Sequence, residues 1–178
     1  MPRSARRPAP GPAAARSSTP EPRTWQGVSY RPCQAGGEEV RGLFAFAGAW
    51  APPPTPLELG WEAVRGGRLV GGVLVERQGE QGMLHGPVVV ESEEPFGIAE
   101  QLIGALLDHA ELTTLYARPQ ALERLWVRFG FVPLPEAGLP AAFKGRPGSG
   151  LFVWRRPGSY RLAPPAPEGE GRGGRGPR

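Results

Sequence analysis

The chain has 178 residues, a formal net charge of +4, one Cys and two His, which is enough length for one domain with a real core. A single Cys excludes an internal disulfide and any multi-Cys zinc site, and two His leave little for a structural metal centre. No apolar run reaches the ~20 residues of a membrane-spanning helix.

The 27 Gly and 23 Pro are unevenly placed. Residues 1–23 hold almost no apolar side chain larger than Ala, and 158–178 are similar apart from Tyr160 and Leu162. Both stretches are expected to be disordered tails around a domain at 24–157. Arg3, Arg6, Arg7 and Arg16 give the first tail the charge of a transit peptide, but its prolines work against an amphipathic helix. The last tail ends in an RGG-type run from Gly171 to Arg178, without aromatics to stack on bases and diluted by Glu168 and Glu170. Nucleic acid is therefore not expected as a partner. Nothing asks for secretion, so a cytoplasmic location is the expectation.

Within the domain, residues 25–31 alternate weakly and predict a first strand. Val40, Leu43, Phe44 and Ala47 fall at i, i+3, i+4 and i+7, the spacing of one helix face. Glu38 and Glu39 lie in its first turn, where acids suit the helix dipole. Pro52, Pro53, Pro54 and Pro56 then form a stiff connector. Strand-like runs follow at 61–65, 69–76 and 83–91, the first two joined at Gly66-Gly67 and the second pair by a loop at 78–82. Val88, Val89 and Val90 in a row predict a strand end buried on both faces.

A second helix begins at Pro95, a residue suited to the first helical position, with Glu94 as a candidate cap. Its stripe is Ile98, Leu102 and Leu106, flanked by Ile103 and Leu107. Residues 113–117 predict a short strand. Leu122, Leu125, Trp126 and Phe129 predict a third helix closed by Gly130. Strands at 131–132 and 151–154 end the domain. The order β-α-β-β-β-α-β-α-β-β predicts an α/β (α+β) fold, a mixed and mostly antiparallel sheet with helices on both faces.

That order, the strand–turn–helix at 88–109 with Gly97-Ile98-Ala99, and the helix ending in Gly130-Phe131 resemble the GNAT (Gcn5-related N-acetyltransferase) family over about residues 25–156. The resemblance implies transfer of an acetyl group from acetyl-coenzyme A to a primary amine by direct attack. The strand at 83–91 and the strand at 113–117 would splay apart. The pantetheine arm would pair with the free edge at Val88, Val89 and Val90. The pyrophosphate would meet the helix start at Phe96, Gly97, Ile98 and Ala99, whose leading N–H groups suit an anion. Trp126 falls on the cofactor side, where the family places a Tyr acid, and otherwise reads as core. Glu94 and Pro95 replace the usual residues of the pyrophosphate turn, and Pro95 removes a donor. A homodimer is a further expectation.

The catalytic candidates are Glu91 as general base and Tyr116 as acid. The bland readings of the other polar groups are a shuttle too far from the splay for His85, an exposed turn acid for Glu76, a helix-end histidine for His109 and an idle thiol for Cys33. Lys144 and Arg146, in the loop at 133–150, hint at an acidic acceptor. Glu94, Pro95 and Trp126 also suit a non-catalytic acyl-coenzyme A-binding or regulatory module. The Arg-rich tails offer nucleic-acid association as a third reading.

Overall fold

The computed structural model describes residues 22–33, 37–54, 59–109, 111–119 and 123–158. Both expected tails lie outside these residues, apart from their edges. The described residues form an eight-stranded sheet in the order β1-β2-β3-β4-β5-β6-β8-β7. Its first five strands are an antiparallel run of neighbours: β1 (Arg23–Trp25), β2 (Val28–Pro32), β3 (Leu59–Arg65), β4 (Arg68–Gln78) and β5 (Gln81–Val89). β5 pairs in parallel with β6 (Thr114–Ala117), and β6 in turn pairs antiparallel with β8 (Phe152–Arg155), which carries β7 (Val132–Pro133) at the edge.

The helices occupy both faces, as expected. α1 (Glu38–Phe46) seats Val40, Leu43 and Phe44 against Leu74 and Val88 on one face. Ala47 of the predicted stripe lies beyond the helix and is exposed. On the other face, α2 (Pro95–His109) buries Ile98, Leu102, Ile103 and Leu106 completely. α3 (Glu123–Arg128) adds Leu125 and Trp126 to the same core. Trp126 is 1% exposed and meets Phe131 edge-on at 5.0 Å, so its bulk is spent on packing. The N–H of Phe131 bonds the Trp126 carbonyl and that of Gly130 the Val127 carbonyl, the paired bonds that close a helix at glycine.

Three expectations change. The strand predicted at 25–31 is two strands, because Gln26 and Gly27 both take positive φ (47° and 73°) and turn the chain within two residues. The β4–β5 loop shrinks to a tight turn at Gly79 and Glu80, since Gln78 already pairs with Gln81. β5 thus starts and ends two residues earlier than 83–91. Of the three valines, Val88 alone is buried, while Val89 and Val90 are half-buried. The reason is the separation of β5 from β6 along this stretch. No helix among the described residues is long and apolar enough to cross a membrane.

Candidate active site

The parallel pairing of β5 with β6 is short. It runs from Gln81 opposite Thr114 to Leu84 opposite Ala117 and stops there. His85 on one strand and Arg118 beyond the other are the first residues past the last pair. From His85 to Val89 the β5 edge has no strand partner on that side among the described residues. Gly86, at φ 87°, breaks the extended line of the strand where the gap opens, and a Cβ there would come within 2.9 Å of the Phe44 ring. A cavity of about 310 Å³ fills the opening. Its walls include Phe44 and Trp50 from α1 and the segment after it, His85, Val88 and Val89 from β5, and Arg118 after β6.

Beside this cavity lies a buried polar cluster. Glu76 of β4 and His85 of β5 are 8% and 7% exposed. His85 Nε2 stands 2.8 Å from Glu76 Oε2. Arg146 crosses from the loop before β8 and donates from Nε to Oε2 and from a terminal nitrogen to Oε1, each at 2.8 Å. Burial raises the Glu76 pKa, but the hydrogen bonds from His85 and Arg146 and their charges outweigh it and hold the carboxyl down to about 2. Glu76 is thus a carboxylate at neutral pH and can only accept. His85 must then donate from Nε2, and a ring that carries that single proton has Nδ1 as an acceptor. Trp50 tilts over His85 with ring centroids 5.0 Å apart, and the Arg146 guanidinium lies 6.0 Å from the Trp50 ring.

A second clasp ties down the same loop. Arg118 donates to both oxygens of Glu136, at 2.5 and 2.6 Å. That hydrogen bond raises the Arg118 pKa and lowers that of Glu136. Sheet and loop therefore exchange one acid–arginine pair each: Glu76 with Arg146, and Glu136 with Arg118.

The two catalytic candidates read from sequence do not meet at this opening. Glu91 lies after β5 at positive φ (49°), and its carboxylate bonds Arg68 at 2.8 Å on the exposed surface. Tyr116 is buried on β6 among Met83, Leu139, Leu151 and Val153, with its ring 5.9 Å from that of Phe143. Neither lines the cavity. His85 and Glu76, given bland readings above, are the groups that do come together. His85 is not remote from the splay, because β5 begins earlier and the gap opens at His85 itself. Trp50 and Arg118 carried no signal in sequence.

The two halves of an acyl-coenzyme A site fit unequally. The unpaired β5 edge at Val88 and Val89 suits a pantetheine arm, and Val90 follows it with its N–H bonded to the Val70 carbonyl. At the start of α2, four N–H groups would ordinarily be open to an anion. Here Pro95 has none, and the Glu94 N–H bonds Ser92 Oγ at 3.1 Å. Ile98 already bonds the Glu94 carbonyl, and its side chain, like that of Ala99, is fully buried in the core. Phe96 and Gly97 are left as donors. Gly97 is covered by Trp25 of β1: a Cβ on it would lie 2.7 Å from the indole. The small residue thus makes room for an indole, and Glu93 and Glu94 are exposed beside it.

No protein-family profile and no curated protein sequence matches the chain. Solved structures do. A Klebsiella pneumoniae protein provisionally assigned as an acyl-CoA N-acyltransferase superposes with a TM-score of 0.58 at 16% identity, covering 72% of this chain and 97% of that one. An acetyltransferase of Streptococcus agalactiae gives 0.54 at 11% identity, covering 74% and 100%. N-acetylglutamate synthase of Neisseria gonorrhoeae, solved with coenzyme A and N-acetyl-glutamate, gives 0.56 at 18% identity over 74% of this chain, which spans only 36% of that one. These identities speak to fold alone. With the splayed β5–β6 pair and helices on both faces of a mostly antiparallel sheet, they show that the chain has the GNAT fold.

Proposed function

We propose that the protein is an N-acyltransferase that moves an acetyl group from acetyl-coenzyme A to a primary amine at the β5–β6 opening. The observation that carries this reading is the buried Glu76–His85 pair at the mouth of the gap, with Arg146 holding Glu76 ionised. Acetyl-coenzyme A, when bound, supplies the thioester carbonyl. The β5 edge at Val88 and Val89 would hold its arm, and the N–H groups of Phe96 and Gly97 would be the donors left for its phosphates. Phe44, Trp50 and Val88 exclude water from the reacting centre. Glu76 fixes the His85 ring with its proton on Nε2. His85 Nδ1 then takes the amine's proton as the C–N bond forms and the C–S bond breaks, and the departing thiolate is protonated from water. Positioning the amine beside the thioester supplies much of the rate.

A second reading is favoured by the α2 start. Trp25 over Gly97, the exposed Glu93 and Glu94, and Pro95 without a donor suit a GNAT-fold module that holds a thioester without turnover. The experiment that separates the two is a titration of acetyl-coenzyme A into the full chain, followed by thiol release over a panel of amines. Binding with thiol release supports the enzyme. Binding without release supports the module, and no binding at millimolar acetyl-coenzyme A contradicts both.

A further inference from the structure

We infer that residues 144–150 form a flap over the β5–β6 opening, latched shut by Arg146 on Glu76, and that Arg146 is thereby a positioning residue of the site. The part the flap plays in transfer rests on the reading of that opening as the acyl-transfer site. The latch itself does not.

The flap runs between two buried anchors. Phe143 and Leu151, 2% and 4% exposed, pack with Met83 and Tyr116. Between them, only Arg146 is partly withdrawn from solvent. Gly145 and Gly150 take φ of 78° and 71°, conformations that suit glycine, so the chain can turn at either end of the segment. No N–H from Gly145 to Gly150 bonds a backbone carbonyl among the described residues, so no ladder holds the segment. Two long contacts reach the chain just after β6. Ser149 Oγ donates to the Pro119 carbonyl at 3.3 Å, and Arg118 donates to the Gly150 carbonyl at 3.5 Å. Arg146 makes the short ones. It donates twice to the Glu76 carboxylate at 2.8 Å, a charged fork on a residue that is 8% exposed. That pairing sets the next residue, Pro147, into the cavity wall. Glu76 therefore has two tasks. Its Oε2 meets both His85 and Arg146, so the carboxylate that orients the proton acceptor is also the one that closes the flap. With the flap down, Pro147 completes the wall and Glu76 is fully engaged. With it up, the opening is wider for exchange of coenzyme A and product.

The test is limited trypsin cleavage of the full chain, followed bond by bond by mass spectrometry. Lys144 is the reporter, because Arg146 precedes Pro147 and is spared. Cleavage after Arg155 in β8 reports unfolding of the sheet. In Arg146→Met the cut after Lys144, taken relative to the cut after Arg155, is expected to be at least about tenfold faster than in wild type. Arg146→Lys can keep one bond to Glu76 and should fall between the two. Glu136→Gln, which opens the other clasp and spares Glu76, should stay within about threefold of wild type. If Arg146→Met does not fold, Glu76→Gln removes the latch from the sheet side with the same expectation. Thiol release should fall in the same order, and a rate untouched in Arg146→Met overturns the positioning role. Saturating coenzyme A is expected to slow the wild-type cut at least about threefold further, since the ligand backs Pro147. The inference is overturned if wild type is cut at Lys144 as fast as Arg146→Met, if Glu136→Gln opens the flap as far as Arg146→Met, or if bound coenzyme A leaves the cut unchanged. A chain that fails to bind coenzyme A sinks the transfer reading alone, and the latch is still decided by the cleavage without ligand.

Discussion

The two ends of the β5 edge are built differently. At the His85 end, buried Glu76 and His85 are joined by a partly exposed Arg146 from the loop before β8, and the three are bonded to one another before any ligand arrives. At the α2 end, a helix start that could serve an anion is partly consumed by its own chain. Ser92 takes one donor, Pro95 lacks another, and Trp25 sits on Gly97. On the proposed reading, the difference would mean that a fold keeps a reaction centre while loosening its hold on the phosphates. Specificity for the donor would then rest on the thioester arm.

The largest expected effect tests the His85 end. Glu76→Ala leaves Arg146 and His85 without their shared acceptor. It should destabilise the chain by about 3 kcal/mol, the low end for breaking a buried pair because Arg146 is partly exposed. Denaturant unfolding measures it. Acid provides an independent view of the same carboxylate. Its pKa is depressed in the folded state from an ordinary 4.5 to about 2, so the stability it contributes is complete above pH 4.5 and is lost as pH falls towards 2. In the wild type that loss amounts to about 3 kcal/mol, and in Glu76→Ala the slope across the same window flattens. The Arg118–Glu136 pair acts in the same direction but is screened by solvent.

The α2 end predicts smaller numbers. If the phosphates add little, S-acetylpantetheine should bind within about tenfold of acetyl-coenzyme A, a difference of ~1.4 kcal/mol or less. A much larger penalty would mean that the helix start does the holding after all. Gly97→Ala should cost about 1 kcal/mol by displacing the Trp25 indole, and S-acetylpantetheine affinity should be unaffected. Smallest of all, Glu91→Ala should change stability by about 0.5 kcal/mol or less, since its pair with Arg68 is exposed. Thermal unfolding and thiol-release rates check that residue together.

Much of this architecture was legible in sequence because helical periodicity reports burial directly. Ile98, Leu102 and Leu106 repeat on one face and are fully buried, and the Gly130 cap closes α3 as its position implied. The first hairpin was not legible, since Gln at a positive φ is an unusual turn residue and Trp25-Gln-Gly-Val28 passes for one strand. Glu76 and Arg146 are 70 residues apart, and no spacing rule joins them. The value of His85 depended on where β5 parts from β6, a matter of register that a two-residue error in the strand's start conceals. For Gly97, the need for a small side chain was legible, but the neighbour that requires it is an indole.

The most direct measurement compares thiol release from acetyl-coenzyme A by the wild type, His85→Ala and Glu91→Ala, with the best amine of the panel as acceptor. A loss of about 10²-fold or more in kcat/KM for His85→Ala, with Glu91→Ala unchanged, is the predicted result. An unimpaired His85→Ala beside a crippled Glu91→Ala would contradict the placement of the proton acceptor at the β5–β6 opening.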